Sequence, residues 1–218
     1  MIGLSWNCRG IGGASTVRDL TALVQCHHPQ FVFLCETRQS AKKVSRLRSR
    51  LGLRGFCGID SVGQSGGLTL FWNEQLSVEI KEKKERFIDA HIRASSTDPF
   101  WHLTCVYGEP RVKNRHLMWE KLQGLKTRSA LPWCVIGDFS EAMWSFEYLS
   151  ATQRGERQML AFRDTWRYVS CQIWVFRVCL LPMTISKLEV GMLKSALTGQ
   201  WRITVGGTSS RRHGSCTM

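Results

Sequence analysis

Residues 31–36 read Phe-Val-Phe-Leu-Cys-Glu, a continuous apolar run that ends in a carboxylate. A run of this kind is typical of a strand buried on both faces, because successive side chains of a strand point to opposite sides of the sheet. The pattern returns at residues 133–136, Trp-Cys-Val-Ile, which lead into Gly137-Asp138-Phe139. A third strand is predicted at residues 2–6 and is followed by Asn7. Each of the three predicted strands therefore delivers one polar side chain at its carboxyl end.

Other segments of the chain alternate between helical and strand-like patterns. Apolar spacing predicts one helix over 17–26, a basic helix over 41–51, and a third helix over 115–125 with Leu117, Leu122 and Leu125 near one face. Between the second and third helices, turn residues separate β-like runs at 66–72, 76–80, 86–92 and 101–107. The sequence therefore predicts an α/β domain, in which strand ends collect side chains into one cleft.

Composition limits the class of protein. The chain has 218 residues, enough for one sizeable domain, and a formal net charge of +13. The excess of Lys and Arg suits a polyanionic partner such as nucleic acid, and a basic surface that only aids solubility explains it equally well.

Nine cysteines occur without a C-x-x-C pair, which indicates reduced, mostly buried thiols instead of a disulfide framework or zinc site. Neither a signal peptide nor a membrane span is expected. The expected location is therefore intracellular, nuclear or cytoplasmic.

Asn7, Glu36 and Asp138 are the candidate chemical residues. Carboxylate and amide oxygens are the ligands that hard cations such as Mg²⁺ prefer. Taken singly, each residue is more often an ordinary turn or strand-end residue. Three such side chains after three predicted strands together favour a metal-dependent site.

The motifs around these residues resemble those of the endonuclease/exonuclease/phosphatase superfamily. They occur in the family's order and spacing as Trp6-Asn7-Cys8-Arg9-Gly10, Leu34-Cys35-Glu36-Thr37, Val106-Tyr107-Gly108 and Gly137-Asp138-Phe139. The likeness is greatest to plant-type LINE (non-LTR) retroelement endonucleases, through the whole first phrase, Gly66-Gly67-Leu68, Phe87-Ile88-Asp89, Arg115 and Trp119. It covers residues 2–165.

This resemblance implies a four-layer α/β sandwich of the DNase I-like type that hydrolyses phosphodiesters with Mg²⁺, or with Mn²⁺ in its place. Glu36 would be the main metal ligand, with Asn7 beside it. Tyr107 would contact the scissile phosphate or its nucleophile, and Asp138 would orient or deprotonate the attacking water. DNA or another phosphodiester is the implied substrate, and neither a membrane nor an obligate protein partner is expected.

The chain departs from the family in two places. Ser140 stands where the family usually has Asn, and a hydroxyl offers one hydrogen-bond donor where an amide offers two. The family's distal motifs, an Asp near an Arg-Leu-Asp-Arg phrase and a final Ser-Asp-His, do not occur in residues 166–218. We therefore expect a sandwich that is incomplete at its C-terminus and a degenerate, inactive catalytic set.

The last 53 residues differ in composition from the rest, with seven Lys or Arg and one Asp or Glu. We interpret residues 1–165 as the domain and 166–218 as a non-homologous tail read in a shifted frame. Rereading 191–206 in the alternative frame permits the missing Arg-Leu-Asp-Arg phrase. Because nothing selected such a tail to pack, burial is not expected for its large apolar residues Trp166, Trp174, Val175, Phe176 and Trp201.

Three functions stay open at this point. The chain is a retroelement endonuclease fragment that has lost activity, a phosphomonoesterase or inositol-phosphate phosphatase of the same superfamily, or a basic nucleic-acid-binding remnant without catalysis. The remnant would bind DNA in a salt-dependent way and would not cleave it.

Overall fold

The computed structural model describes residues 1–63, 65–144 and 155–169, and the backbone of two short strands at 190–194 and 201–205. The helices are α1 (Ala14–His27), α2 (Ala41–Val44), α3 (Arg48–Leu51), α4 (Arg115–Lys126) and α5 (Glu156–Val169). The strands are β1 (Gly3–Asn7), β2 (Phe31–Cys35), β3 (Gly55–Val62), β4 (Ser65–Trp72), β5 (Ser77–Lys84), β6 (Phe87–Arg93), β7 (Trp101–Tyr107), β8 (Trp133–Asp138), β9 (Val190–Lys194) and β10 (Trp201–Val205).

The first eight strands form two four-stranded sheets. One sheet has the order β1-β2-β4-β3, and the other has the order β5-β6-β7-β8. In each sheet a single neighbouring pair is parallel, β1 with β2 and β7 with β8, while the other pairs are antiparallel. Strands β9 and β10 pair with each other as a separate antiparallel ribbon. Each four-stranded sheet therefore has two adjacent strands whose carboxyl ends lie together.

The two sheets pack face to face over the main hydrophobic core, and helices cover both outer faces. Alternate residues of the central strands fill the space between the sheets, among them Phe31, Phe33, Leu70, Ile88 and Leu103. Helix α1 and the segment 41–51 cover the first sheet, and α4 and α5 cover the second. The predicted four-layer α/β sandwich is confirmed.

Several predicted elements differ from the observed ones. The basic helix over 41–51 is broken into α2 and α3 by a 3₁₀ turn at Ser45–Leu47. The prediction that Leu117 lies on the packed face of α4 is wrong, because Leu117 is exposed while Met118 and Trp119 are buried. Trp119 contacts the ring of Phe162 on α5, so the second helix of this layer determines which face of α4 is covered.

Helix α5 runs across the predicted boundary at Thr165 without interruption. Its buried residues Met159, Phe162, Trp166 and Val169 recur at spacings of three and four, so they lie on one helix face. The expectation that Trp166 does not pack is wrong, since its ring meets those of Phe139 and Phe162 and it is 3% exposed. The apolar residues 174–176 and the side chain of Trp201 lie outside the described residues. Of the reread segment 191–206, only the backbone within β9 and β10 is described.

Cysteine burial agrees with the prediction where the structure describes it. Six described cysteines are free, and all except Cys26 are buried. Among the described residues, no helix combines the length and the apolar character needed to cross a membrane.

Candidate active site

The carboxyl ends of the parallel strand pairs from the two sheets meet at one rim of the sandwich. Asn7 is the last residue of β1, and Glu36 directly follows β2. In the second sheet, Tyr107 and Asp138 end β7 and β8 and are register partners. The structure therefore brings together the four residues that the sequence placed at strand ends.

The amide of Asn7 joins the two carboxylates. Its Nδ2 donates to Glu36 Oε1 at 3.1 Å and to Asp138 Oδ2 at 2.8 Å. Its Oδ1 accepts from the backbone N–H of Arg9 at 3.2 Å, which fixes the orientation of the amide. Asn7 is 5% exposed. One buried side chain therefore couples a carboxylate of the first sheet to a carboxylate of the second.

Glu36 accepts hydrogen bonds from three side chains. Besides Asn7, the hydroxyl of Tyr107 donates to Oε1 at 2.9 Å and Arg38 Nη2 donates to Oε2 at 3.0 Å. Burial by itself raises the pKa of Glu36. The donors Asn7, Tyr107 and Arg38 together lower the pKa by more than burial raises it, so the pKa lies below the ordinary value for a glutamate. Glu36 is therefore a carboxylate at neutral pH.

Tyr107 stays protonated because its surroundings raise the pKa of its hydroxyl. Burial raises its pKa, and the hydrogen bond to Glu36 raises the pKa further because an ionised phenol could not donate. Its ring lies 5.1 Å from the Arg86 guanidinium. The hydroxyl is thus a fixed hydrogen-bond donor at the rim.

Strained backbone is concentrated around these side chains. Among the described residues, five that are not glycine have a positive φ, and four of them are Arg9 (47°), Glu36 (53°), Arg38 (52°) and Ser140 (54°). Left-handed backbone is unfavourable for such residues and persists where surrounding contacts enforce it, commonly at functional sites. The fifth, His28, follows α1. The strain therefore marks the rim independently of the hydrogen bonds.

Two glycines allow the carboxyl ends of β7 and β8, and the residues that follow them, to approach closely through their backbones. The N–H of Gly108 donates to the carbonyl of Asp138 at 2.5 Å. A Cβ at Gly108 would lie 2.2 Å from the Phe139 carbonyl oxygen, and one at Gly137 would lie 1.8 Å from the Val106 carbonyl oxygen. No larger residue fits at either position, so these glycines determine how close Tyr107 lies to Asp138.

Both oxygens of Asp138 have partners. Oδ2 accepts from Asn7, and Oδ1 accepts from the backbone N–H of Ser140 at 2.9 Å. Ser140 lies two residues after Asp138, so its strained backbone places this N–H under the carboxylate. The structure thereby explains a backbone role for Ser140, while the predicted side-chain contact with phosphate stays a prediction.

The donor chemistry of the rim fits a hard cation. Glu36 and Asp138 supply carboxylate oxygens, which are ligands of Mg²⁺. The amide oxygen of Asn7 accepts from the Arg9 N–H here, and it would join them as a ligand once the amide turns its oxygen toward the carboxylates. Within the described ranges, no group of three or more His, Cys, Asp or Glu side chains is placed to hold a metal. Two carboxylates and an amide suit an ion that keeps several of its waters, as Mg²⁺ does.

Arg38 is a site residue that the sequence interpretation missed. Its guanidinium neutralises Glu36 Oε2 at 3.0 Å, at the side of the carboxylate away from Tyr107. The sequence did contain an indication of this contact, because Arg38 is a cationic residue two positions after Glu36. A cation within a basic chain is weak evidence by itself, and the left-handed backbone at Arg38 that turns it toward Glu36 cannot be inferred from spacing.

These features define the class: a four-layer α/β sandwich with an acidic, hydrogen-bonded site at the rim between its two sheets. The chain belongs to the endonuclease/exonuclease/phosphatase family, whose family model matches residues 4–216. The match extends beyond Thr165, and the predicted domain boundary there stays a prediction. No curated protein matches the chain.

Solved structures share the fold. The AP endonuclease LMAP from Leishmania major is 15% identical with a TM-score of 0.62, over 80% of this chain and 68% of that one. The 3′ phosphatase NExo from Neisseria, bound to a product DNA hairpin, is 12% identical with a TM-score of 0.57, over 76% and 70%. A conserved protein of unknown function from Enterococcus faecalis V583 is 14% identical with a TM-score of 0.53, over 75% and 72%.

Proposed function

We propose that this domain hydrolyses phosphodiester bonds in DNA with Mg²⁺ at a low rate. The sequence alone led us to expect no activity, but the side chains of Asn7, Glu36, Tyr107 and Asp138 are assembled into one site. One observation carries the proposal. The Asn7 amide holds Glu36 and Asp138 on either side of it, and Tyr107 donates to the same Glu36 oxygen. This arrangement supports the proposal, because two carboxylates and a protonated hydroxyl lie together at one rim, and hydrolysis of a phosphate ester requires groups of these types.

Each residue has a distinct role in this proposal. Glu36 and Asn7 would hold Mg²⁺, which stabilises charge on the phosphoryl oxygens when it is bound; Mn²⁺ accepts the same ligands. Asp138 orients the attacking water and takes its proton. Tyr107 contacts the scissile phosphate or its nucleophile. Its single O–H proton, which is donated to Glu36 in the structure, turns to donate there. Water attacks phosphorus as the bond from phosphorus to one sugar oxygen breaks, and the departing sugar oxygen takes a proton from solvent. The reaction needs no covalent enzyme intermediate.

The proposed substrate is DNA. The chain carries a net charge of +13, and a basic protein binds the phosphate backbone by displacing its counterions. The similar fold of NExo is seen with a DNA product. The motif likeness to plant-type LINE elements supports a retroelement origin, and DNA cleavage is the activity which that origin would require.

A nicking assay on supercoiled plasmid tests the proposal. We expect slow conversion to the nicked form with Mg²⁺, none with EDTA, and recovery when excess Mg²⁺ or Mn²⁺ is added. Release of phosphate from an inositol phosphate without nicking would establish the phosphatase alternative. Salt-dependent DNA binding without any metal-dependent cleavage would establish the non-catalytic remnant and overturn the proposal.

The substitution Ser140→Asn is expected to raise the nicking rate by about 10-fold, because an amide adds a second donor for the phosphate. The left-handed φ of 54° at this position suits Asn better than most residues, so the change adds no backbone strain. Initial rates at saturating Mg²⁺ measure the effect. Ser49→Asn on the exposed surface of α3 is the control and should leave the rate unchanged; an equal rate for Ser140→Asn would refute a phosphate contact here.

We further propose that the low activity reflects a change of reading frame. The sequence predicted this change near Thr165, and we now assign it to a point after α5 because that helix is packed to its last residue. Val169 is buried with Trp166 on the packed face of this helix, so sequence suited to the fold continues at least to that residue. Residues 171–181, which can also be reread in the alternative frame, begin just after this helix. Sequencing the locus decides the matter, since an alternative frame without the Arg-Leu-Asp-Arg phrase would refute the proposal.

A further inference from the structure

Arg115 and Glu141 form a buried ion pair close to the candidate site. Arg115 Nη1 donates to Glu141 Oε2, and the two side chains are 8% and 1% exposed. Arg115 is the first residue of α4, and Glu141 directly follows Ser140 in the loop after β8. The other ion pairs among the described residues, apart from His102 with Asp89, have at least one side chain that is more than 15% exposed.

The remaining donors of Arg115 hold a different loop. Its Nε donates to the carbonyl of Glu109 at 3.1 Å, and its Nη2 donates to the carbonyl of Pro110 at 3.3 Å. These two carbonyls belong to the loop that follows Tyr107. A guanidinium can make such bonds together because its five N–H groups lie in one rigid plane.

Glu141 is fixed in turn from its own loop. Its Oε1 accepts from the backbone N–H of Ala142 at 3.0 Å, which leaves Oε2 directed at Arg115. The same two loops also meet where Gly108 N–H donates to the Asp138 carbonyl. One arginine therefore joins the loop that carries Tyr107 to the loop that carries Asp138 and Ser140.

We infer that Arg115 and Glu141 are positioning residues, which keep Tyr107 and Asp138 at the separation that hydrolysis needs. This inference rests on the proposed function. A buried ion pair is poor evidence for stability, because apolar replacements of similar volume often stabilise a protein equally well. An apolar pair, however, could not make the hydrogen bonds that Arg115 donates to the two loop carbonyls. Neither residue touches the reacting atoms, so both act through Tyr107 and Asp138.

The double variant Arg115→Met/Glu141→Leu separates positioning from stability. It removes both charges together and leaves neither one buried without a partner. We expect this variant to fold, and to lose about 100-fold in kcat with little change in KM, because a displacement of about 1 Å at a reacting group costs that much. Arg115→Lys keeps the charge but lacks the planar fork, and should recover only a small part of the rate.

Leu122→Ala is the matched control. Leu122 lies in the same helix, is 1% exposed and contacts neither loop through a hydrogen bond. It should lower the melting temperature while kcat stays at the wild-type value at temperatures where the protein is folded. If the fall in kcat of the double variant were caused only by lower stability, kcat would fall in Leu122→Ala as well.

Hydrogen exchange gives a second measurement that does not depend on catalysis. Amides of residues 107–111 and 138–142 should exchange faster in the double variant than in the wild type, and should be unchanged in Leu122→Ala. Unchanged exchange, or wild-type kcat in the double variant, would overturn the inference. Should the wild type show no metal-dependent cleavage, the proposed function fails by itself, and the exchange result still decides whether the pair holds the two loops.

Discussion

The substitution Glu36→Gln is expected to lower Mg²⁺-dependent nicking by about 10³-fold, or about 4 kcal/mol of transition-state stabilisation. Glutamine has the shape of glutamate but no charge. It cannot neutralise a divalent cation, and the donors Asn7, Tyr107 and Arg38 would then face an amide that accepts through one atom. Initial nicking rates over a range of Mg²⁺ concentrations measure the effect, and added Mg²⁺ should not restore the rate.

Glu79→Gln is the matched control for this prediction. Glu79 lies on the edge strand β5, is half exposed and pairs only with Lys81 among the described residues. The same chemical change there should leave nicking unaltered. Equal rates for Glu36→Gln and the wild type would show that Glu36 does not bind the metal, and the proposed site would have to be abandoned.

The pH dependence of the wild type follows from the same contacts. The donors hold the pKa of Glu36 below its ordinary value of about 4.3, so we expect no loss of nicking through protonation of Glu36 at weakly acidic pH. A carboxylate whose folded pKa is lowered also stabilises the fold above its unfolded pKa, and this contribution is lost as the pH falls through the folded pKa. Glu36→Gln should therefore weaken the acid dependence of the melting temperature.

The parts of the site that the sequence could predict are those determined by local patterns. Strands β2 and β8 are continuous apolar runs, and the ends of such runs locate Glu36 and Asp138 without any knowledge of the fold. The bonds of Asn7 are different, because its amide meets a carboxylate 131 positions away only after the two sheets have packed. The sequence therefore predicts which residues belong to the candidate site, but it does not predict the hydrogen bonds between them.

Within residues 1–169, strand β3 and helix α5 escaped prediction for identifiable reasons. Strand β3 reads Gly-Phe-Cys-Gly-Ile-Asp-Ser-Val, and its glycines and half-buried positions give no clear alternation. It becomes a strand because β4 supplies its hydrogen-bond partners. Helix α5 was missed because its amphipathic pattern crosses residue 165, where composition suggested a boundary. Packing against Trp119 and Phe139 extends across that point.

The role of Arg115 shows a further limit. The chain has 30 Lys and Arg residues, and Arg115 is the one that is buried in the part of the chain that the structure describes. No spacing rule separates it from the others. Its partner Glu141 lies 26 positions later in a loop. Only the tertiary contact between the start of α4 and the loop after β8 identifies the pair, which is why the residues that position a site are harder to predict than those at strand ends.

The substitution Gly137→Ala is expected to lower the free energy of unfolding by about 3 kcal/mol or more. Gly137 has a φ of 137°, which side chains rarely allow, and its Cβ would lie 1.8 Å from the Val106 carbonyl oxygen. That oxygen belongs to the neighbouring strand β7, so the clash can be relieved only by separating β7 from β8. Urea unfolding followed by tryptophan fluorescence measures the change in midpoint.

Gly124→Ala is the control, because the same substitution there should have the opposite sign. Gly124 lies inside α4, and a Cβ at this position meets no atom within 4 Å. Alanine is the better helix former, so the free energy of unfolding should rise by about 0.5–1 kcal/mol. A Gly137→Ala midpoint equal to that of the wild type would mean that the two strands can separate without cost. The close approach that places Asp138 beside Tyr107 would then not be enforced by the backbone.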